Sequence, residues 1–472
     1  MDRSRWLKLL SIGLVVSITL SACASAHTPT PMPQPAATRS QPPPLPTATP
    51  RAISAREPAA PSTGETVELK ITWWGSLDRH RRTLKVIQLF QQRYPHIRIT
   101  SEFSGWNVYW TMLGEMAATG DLPDVMQQDY ACLADWSARG LLLPLDDDAT
   151  GGALNLVDVP AETLESGRVA GRLMGISLGT TSQCWVLDVD AFQRAGLALP
   201  PADWTWADFE RIATTLRRKL GIWGMGSGMW SEELWGSLYL SAGSWRYSAT
   251  GTELGYDDDQ PLVDYLSMLL RLQKAQALIP RATELASYDV TTKGVQADPI
   301  VSRRAAMAYL GSDQVPALWQ AAGESRHLKL VPLPRVAGGR SANYLKASSF
   351  WSITAGCQHP REAATFIDFF INSIEANELL MAERGVPVSA RVREALRPRL
   401  DPALAQVFDF IAQVSHDAPP LPPPDPPGHA DVVRYVLRPR VLDPVASGKL
   451  APQRAALLLR QEADLILANN GR

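Results

Sequence analysis

The sequence predicts an α/β fold built as two lobes. Two observations carry this. Segments of strand periodicity alternate with segments of helical periodicity, the pattern of a largely parallel sheet with helices on both faces. About 400 residues remain from Glu65 onward, more than one core usually holds.

Residues 1–22 read as an export signal. Arg3, Arg5 and Lys8 precede the apolar run Leu9 to Leu20, and small residues Ser21 and Ala22 follow. The run is too short to span a bilayer, which takes about 20 apolar residues. Residues 23–64 then read as a tether, because eleven of the forty residues from Ala24 to Thr63 are Pro, interleaved with Ala, Ser and Thr. Such a composition favours extended polyproline chain over a packed core. At about 3.1 Å per residue it reaches on the order of 100 Å.

The folded part begins with "VELKITWW", an alternating β-branched strand, followed by "GSLDRHRRTLKVIQLFQQRYP", a helix with Leu84, Ile87, Leu89 and Phe90 at helical spacing and Pro95 as its stop. "HIRITSEF" is a second strand, "VYWTMLGEMAATG" a helix closed by Gly120, and "PDVMQQ" a third strand. Ligands of such sheets sit at the carboxyl ends of the strands. That brings Trp74 and Gly75 beside Gln128, Asp129 and Tyr130. "RLMGISLGTTSQCWVLDVD" is strand-like, and "DWTWADFERIA" opens a helix with Thr205 as N-cap and Asp208 three residues on. "PLVDYLSMLLRLQKAQAL", "RRAAMAYLG" and the strand "LKLVPLP" form a second α/β set. "SFWSIT" is a strand and "REAATFIDFFINSIEANELLMAERG" one long helix stopped at Gly385 to Pro387. The proline run "PPLPPPDPPG" at 419–428 separates the last helices, Asp431 to Leu437 and Gln453 to Ala468.

Composition excludes several functions. A net charge of -2 gives no basic surface for nucleic acid. Cys132, Cys184 and Cys357 are too few and too scattered for a disulfide framework. There is no HExxH, no phosphate loop ending in GK[ST] and no GxSxG elbow. The seven His form no ligand-spaced cluster, so neither a metal nor another cofactor is expected. Acidic runs such as Glu232-Glu233, Asp146 to Asp148 and Asp257 to Asp259 read as solvated faces rather than a glycosidase pair. The unusual count is 15 Trp. An indole face suits core packing or the C–H face of a sugar ring.

Taken in order, "ITWWG", "LGEMAATGDLPDVMQQD", "LMGISLGTTSQCWVLDVDAFQRAGL", "DWTWADFERIA", "SRRAAMAYLG", "HPREAATFIDFF" and "ERGVPVS" resemble bacterial carbohydrate-type solute-binding proteins of ABC transporters, like the maltodextrin-binding proteins, from about Val67 to Val388. "LSAC" likewise resembles a lipobox, which implies cleavage before Cys23 and its lipidation; acyl burial of about 0.8 kcal/mol per CH₂ anchors stably when more than one chain inserts. The resemblance implies a type II periplasmic-binding-protein fold, in which 65–180 with 351–400 make one lobe and 181–350 with 401–472 the other. Crossings would fall near Gly179 to Gln183, near Lys346 to Trp351, and after Val388. It also implies a monomer that is exported, lipid-anchored, closes on a sugar and passes it to an ABC permease. A secreted carbohydrate-active enzyme, or a binder of another solute such as a glycerol phosphodiester, is the alternative.

Candidate ligand contacts follow from strand ends, crossings and family-matched loops. Trp74, Tyr130, Trp230 and Trp351 are the stacking candidates, with Tyr109 beside Trp106 and Trp110 at a helix start. Gly75, Gln128, Asp129, Thr180, Thr181, Gln183, Glu232, Ser312 and Asp313 supply backbone and polar contacts. Arg384 either faces the cleft or complements a helix C-terminus. The family's Tyr-Asn of the crossing strand is replaced here by Trp185-Val186.

Overall fold

The computed structural model describes residues 66–470 apart from 147–149, 289–292 and 324. The expected signal, Cys23 and the tether lie outside the described residues, as do Asp147 and Asp148. Two sheets organise the rest. The first has the order β2-β1-β3-β12-β6 and is formed by β1 (Val67–Trp74), β2 (Ile97–Ser104), β3 (Val125–Gln128), β6 (Ile176–Ser177) and β12 (Phe350–Ile353). β1 runs parallel to β2 and β3, while β12 is antiparallel to both β3 and β6. The second sheet, β10-β8-β9, is antiparallel and joins β8 (Gln183–Asp188), β9 (Met307–Gly311) and β10 (Leu328–Val331). A small hairpin, β4 (Arg168–Val169) and β5 (Arg172–Leu173), precedes β6.

Local signals explain the first three helices. In α1 (Leu77–Arg93) the Ser76 hydroxyl accepts from the Arg79 amide, Asp78 lies in the positive first turn and Arg93 in the negative last turn. Its Val86, Ile87 and Phe90 are buried against the first sheet. α2 (Trp106–Thr119) ends at Gly120, whose φ of 76° fits the left-handed position that glycine adopts without a Cβ penalty. Asp129 caps α3 (Tyr130–Ala138). The Thr205/Asp208 capping box is present at the start of helix Trp206–Leu220.

The strand-like stretch 172–188 is broken into β5, β6, β7 (Thr180–Thr181) and β8 instead of running straight. It breaks where the chain crosses from the first sheet to the second. β7 pairs with β11 (Lys346–Ala347), Thr181 opposite Lys346 and Thr180 opposite Ala347, and Thr180 also bridges Val386. Three crossings are thus hydrogen-bonded side by side. Gly179 permits this, because a Cβ there would stand 1.8 Å from the Arg384 carbonyl oxygen. Past Val386, Val388 packs with the first sheet, whereas Val392 and Leu396 pack with Cys184 and Val186 of the second.

The expected single helix 361–385 is two, Pro360–Asn372 and Ile374–Leu380. Ser373 leaves helical geometry at ψ 125° and its hydroxyl accepts from the Ala376 amide at 3.1 Å, which restarts the helix. The proline run is followed by a π-helical segment, Val432–Leu442, and then by helix Pro452–Asn470, both packed into the hydrophobic cluster beside the second sheet. Among the described residues no helix is long and apolar enough to cross a membrane.

Candidate ligand-binding cleft

The carboxyl ends of β1 and β3 lie side by side, as expected, but several aromatic candidates face inward. Trp351 is fully buried between Phe366 and Phe370, at ring distances of 6.0 and 5.5 Å. Trp230 is buried in the hydrophobic cluster beside the second sheet. Tyr109 is fully buried and donates its hydroxyl to the Gln127 carbonyl at 2.6 Å. All three are core residues, which corrects their assignment as ligand contacts: Trp351 lies on β12, a central strand buried on both faces, Tyr109 packs from α2 onto the first sheet, and Trp230 packs into the cluster beside the second sheet. Trp74 closes a cluster with Trp106 at 5.0 Å, Tyr109 at 5.2 Å and Trp110 at 5.7 Å. Only Trp106 of this cluster is well exposed.

Several polar candidates are also committed elsewhere. Arg384 is buried and donates to Gln127 Oε1 at 3.2 Å, Glu383 Oε2 at 3.0 Å and Thr83 Oγ1 at 3.0 Å. It is a structural strut, neither a cleft contact nor a helix-end cation. Burial pulls its guanidinium down to about 9, with Glu383 opposing and Arg79 adding. Ser312 is buried and its hydroxyl accepts from the Ser182 amide. Thr180, Thr181 and Gln183 serve the crossings: Thr180 exchanges backbone bonds with Val386, Thr181 donates to the Lys346 carbonyl, and the Gln183 carbonyl accepts from Asn343. Glu232 pairs with Arg438. Gln128 is buried and donates from its Nε2 to Met126 Sδ, while its Oε1 has no hydrogen-bond partner among the described residues. Gly75 lies under the Arg79 side chain, whose Cδ would meet a Cβ at 2.2 Å.

A different set converges on the crossing strands. Lys346 is half-buried on β11, and its ammonium has no hydrogen-bond or ion-pair partner among the described residues. Burial pulls its ammonium down, yet Asp129, Tyr344, Glu233 and Asp425 outweigh that and hold it above the ordinary lysine value. Tyr344 is raised by burial, with Asp425 and Glu233 adding and Lys346 and Arg246 opposing. Asp313 reaches solvent, yet the crowded cleft desolvates it enough to push its carboxyl up, against the pull of Arg79 and Lys346. Asp129 uses one oxygen to cap Ala131 at 2.9 Å. Trp245 meets Tyr344 edge-on at 5.8 Å, and Arg246 sits over Trp235, Trp245 and Tyr247 at 5.3–5.5 Å while donating to Asp425 at 2.6 Å.

Of the sequence candidates, Asp129, Tyr130 and Asp313 lie in this set, whereas Glu233, Trp245, Arg246, Tyr344, Lys346 and Asp425 were not among them. One signal was available. Tyr344 and Lys346 stand two apart at the crossing expected near Lys346 to Trp351, the spacing that puts two side chains on one face wherever a chain is extended. The arrangement presents carboxylates, a phenol, an unpaired ammonium and an indole, a set that both accepts from and donates to hydroxyls. A separate cavity of about 420 Å³ between helices 206–220 and 260–274 shares no residue with it.

The family described as bacterial extracellular solute-binding protein matches residues 78–375, more than half the chain. The protein belongs to this family. An uncharacterized lipoprotein from the oleD 5' region of Streptomyces antibioticus is 24% identical to this solute-binding protein over 357 residues, 74% of each chain. A family 1 extracellular solute-binding protein from Alicyclobacillus acidocaldarius is 28% identical, with a TM-score of 0.72 over 86% of this chain and 100% of that one. A periplasmic oligogalacturonide-binding protein from Yersinia enterocolitica, solved with digalacturonic acid, shares the fold at 22% identity and TM-score 0.71, over 86% and 100%. The solute-binding protein therefore has the two-lobed type II fold with several crossings. Among its described residues no group of three or more His, Cys, Asp or Glu could hold a metal ion.

Proposed function

We propose that this protein captures a sugar or oligosaccharide in the cleft between its lobes and delivers it to the membrane subunits of an ABC importer. The first lobe takes about residues 66–179 and 348–385, the second about 181–346 and 388–470. The observation that carries the reading is Lys346, an unpaired ammonium at the crossing strands, flanked by Asp129 from the first lobe and by Glu233 and Asp425 from the second. A polyhydroxylated solute satisfies such a set without bringing charge. Its C–H faces would pack on Trp245 and Tyr344, and its hydroxyls would bridge the two lobes. Oligosaccharide binding by structural neighbours supports the class. A lipid on Cys23 and a proline-rich tether would keep the protein near the permease while leaving it free to swing.

The test is a panel of neutral, amino and acidic oligosaccharides scored by melting-temperature shift, since a ligand of the folded state stabilises it by mass action. For a saccharide that binds, Lys346→Met is expected to weaken affinity roughly tenfold or more, the scale of a hydrogen bond to a charged group. Its melting temperature should stay near that of wild type. Titration calorimetry measures the first and calorimetric unfolding the second; unchanged affinity would remove Lys346 from the site. Binding should also vary little with salt if the solute is uncharged.

A further inference from the structure

The proline run 419–428 is not a spacer at the surface. Seven of its ten residues are Pro, and Pro422 is buried. Its C-terminal part is fixed to the second lobe: Asp425 accepts from Arg246 at 2.6 Å, His429 lies 2.6 Å from the Tyr247 hydroxyl, and Pro426 packs over Gly251. Its middle is engaged by the other lobe. The Tyr130 hydroxyl, on a ring that stacks at 6.4 Å on Phe350 of the first sheet, donates to the Pro422 carbonyl at 3.0 Å. Prolines lack N–H groups, so the run has few donors of its own and its carbonyls seek partners outside. Tyr130 supplies one, and burial together with Tyr344 and Asp425 pushes its hydroxyl up to about 12, which keeps it a donor.

We infer that segment 419–428 is an interlobe strap that restrains opening in the solute-free protein and forms one wall of the cleft. The inference rests on the clamp reading above. A polyproline segment is already stiff, so docking it costs little conformational entropy. One hydrogen bond made at its middle can therefore bias the open–closed equilibrium instead of being lost to chain motion. The same strap carries Asp425 to Arg246 and Lys346, so it positions side chains of the site as well as bridging the lobes.

The experiment measures interlobe distances by pulsed electron–electron spectroscopy in full-length, solute-free protein. Spin labels are attached through azide-bearing residues in place of Thr119 and Arg218, which are exposed on the two lobes. Tyr130→Phe removes only the hydroxyl, and it is expected to shift the population toward longer distances roughly three- to tenfold, the effect of one net hydrogen bond. Asp425→Asn, which loosens the anchor at Arg246, is expected to move it the same way. Distributions unchanged in both variants would overturn the strap. The clamp is judged separately, by whether a binding saccharide shortens the wild-type distance. A strap effect without that shortening would overturn the clamp alone, and shortening without a strap effect the strap alone.

Discussion

Replacing Trp351 with alanine is expected to lower stability by about 3–5 kcal/mol, the range for removing a large aromatic from a packed core. The indole is fully buried on β12, the strand that joins β3 to β6, and it packs edge-on to Phe366 and Phe370. Neighbours anchored in a sheet and a helix collapse little into the space left behind. Urea unfolding should show a lower midpoint with an unchanged slope, because the surface exposed on unfolding is the same. A variant with the wild-type midpoint and weakened saccharide binding would instead return Trp351 to the cleft.

Arg384→Ala is expected to cost a comparable amount, about 3–5 kcal/mol, the scale for removing one partner of a buried ion pair. Its guanidinium holds Gln127 of β3, Thr83 of α1 and Glu383 together, and Glu383 in turn accepts from Arg79 at 2.5 Å. The loss therefore loosens α1, the sheet and the third crossing at once. Arg384 also lies 5.9 Å over the Trp351 ring, so the two substitutions share neighbours and their costs should not add. A double variant as unstable as the plain sum, measured by the same unfolding curves, would show the two sites to be independent.

Much of the architecture was legible because local chemistry and tertiary packing agree there. The Thr205 capping box, Gly120 as a helix stop and the β-branched first strand each point to the structure they form. The helix break at Ser373 was not legible, since no Gly or Pro marks it and Ser373 turns extended only to cap the second helix. The site was legible in part. Strand-end logic pointed to Asp129 and Tyr130, which belong to the proposed site, but could not tell an inward from an outward aromatic on β12, where every residue is buried. Lys346 was passed over because a two-residue strand gives little periodicity. Asp425 was passed over because a proline run reads as a linker unless its partners, Tyr130 and Arg246, are known to face it.

The claim that one solute is held by both lobes is tested most directly by native mass spectrometry of full-length protein incubated with a mixed oligosaccharide hydrolysate. Wild type is compared with Asp129→Ala, from the first lobe, and Glu233→Ala, from the second. One saccharide adduct per chain is expected on wild type and is lost from each variant, with all three proteins folded. An adduct held equally by all three, or none on wild type, would contradict it.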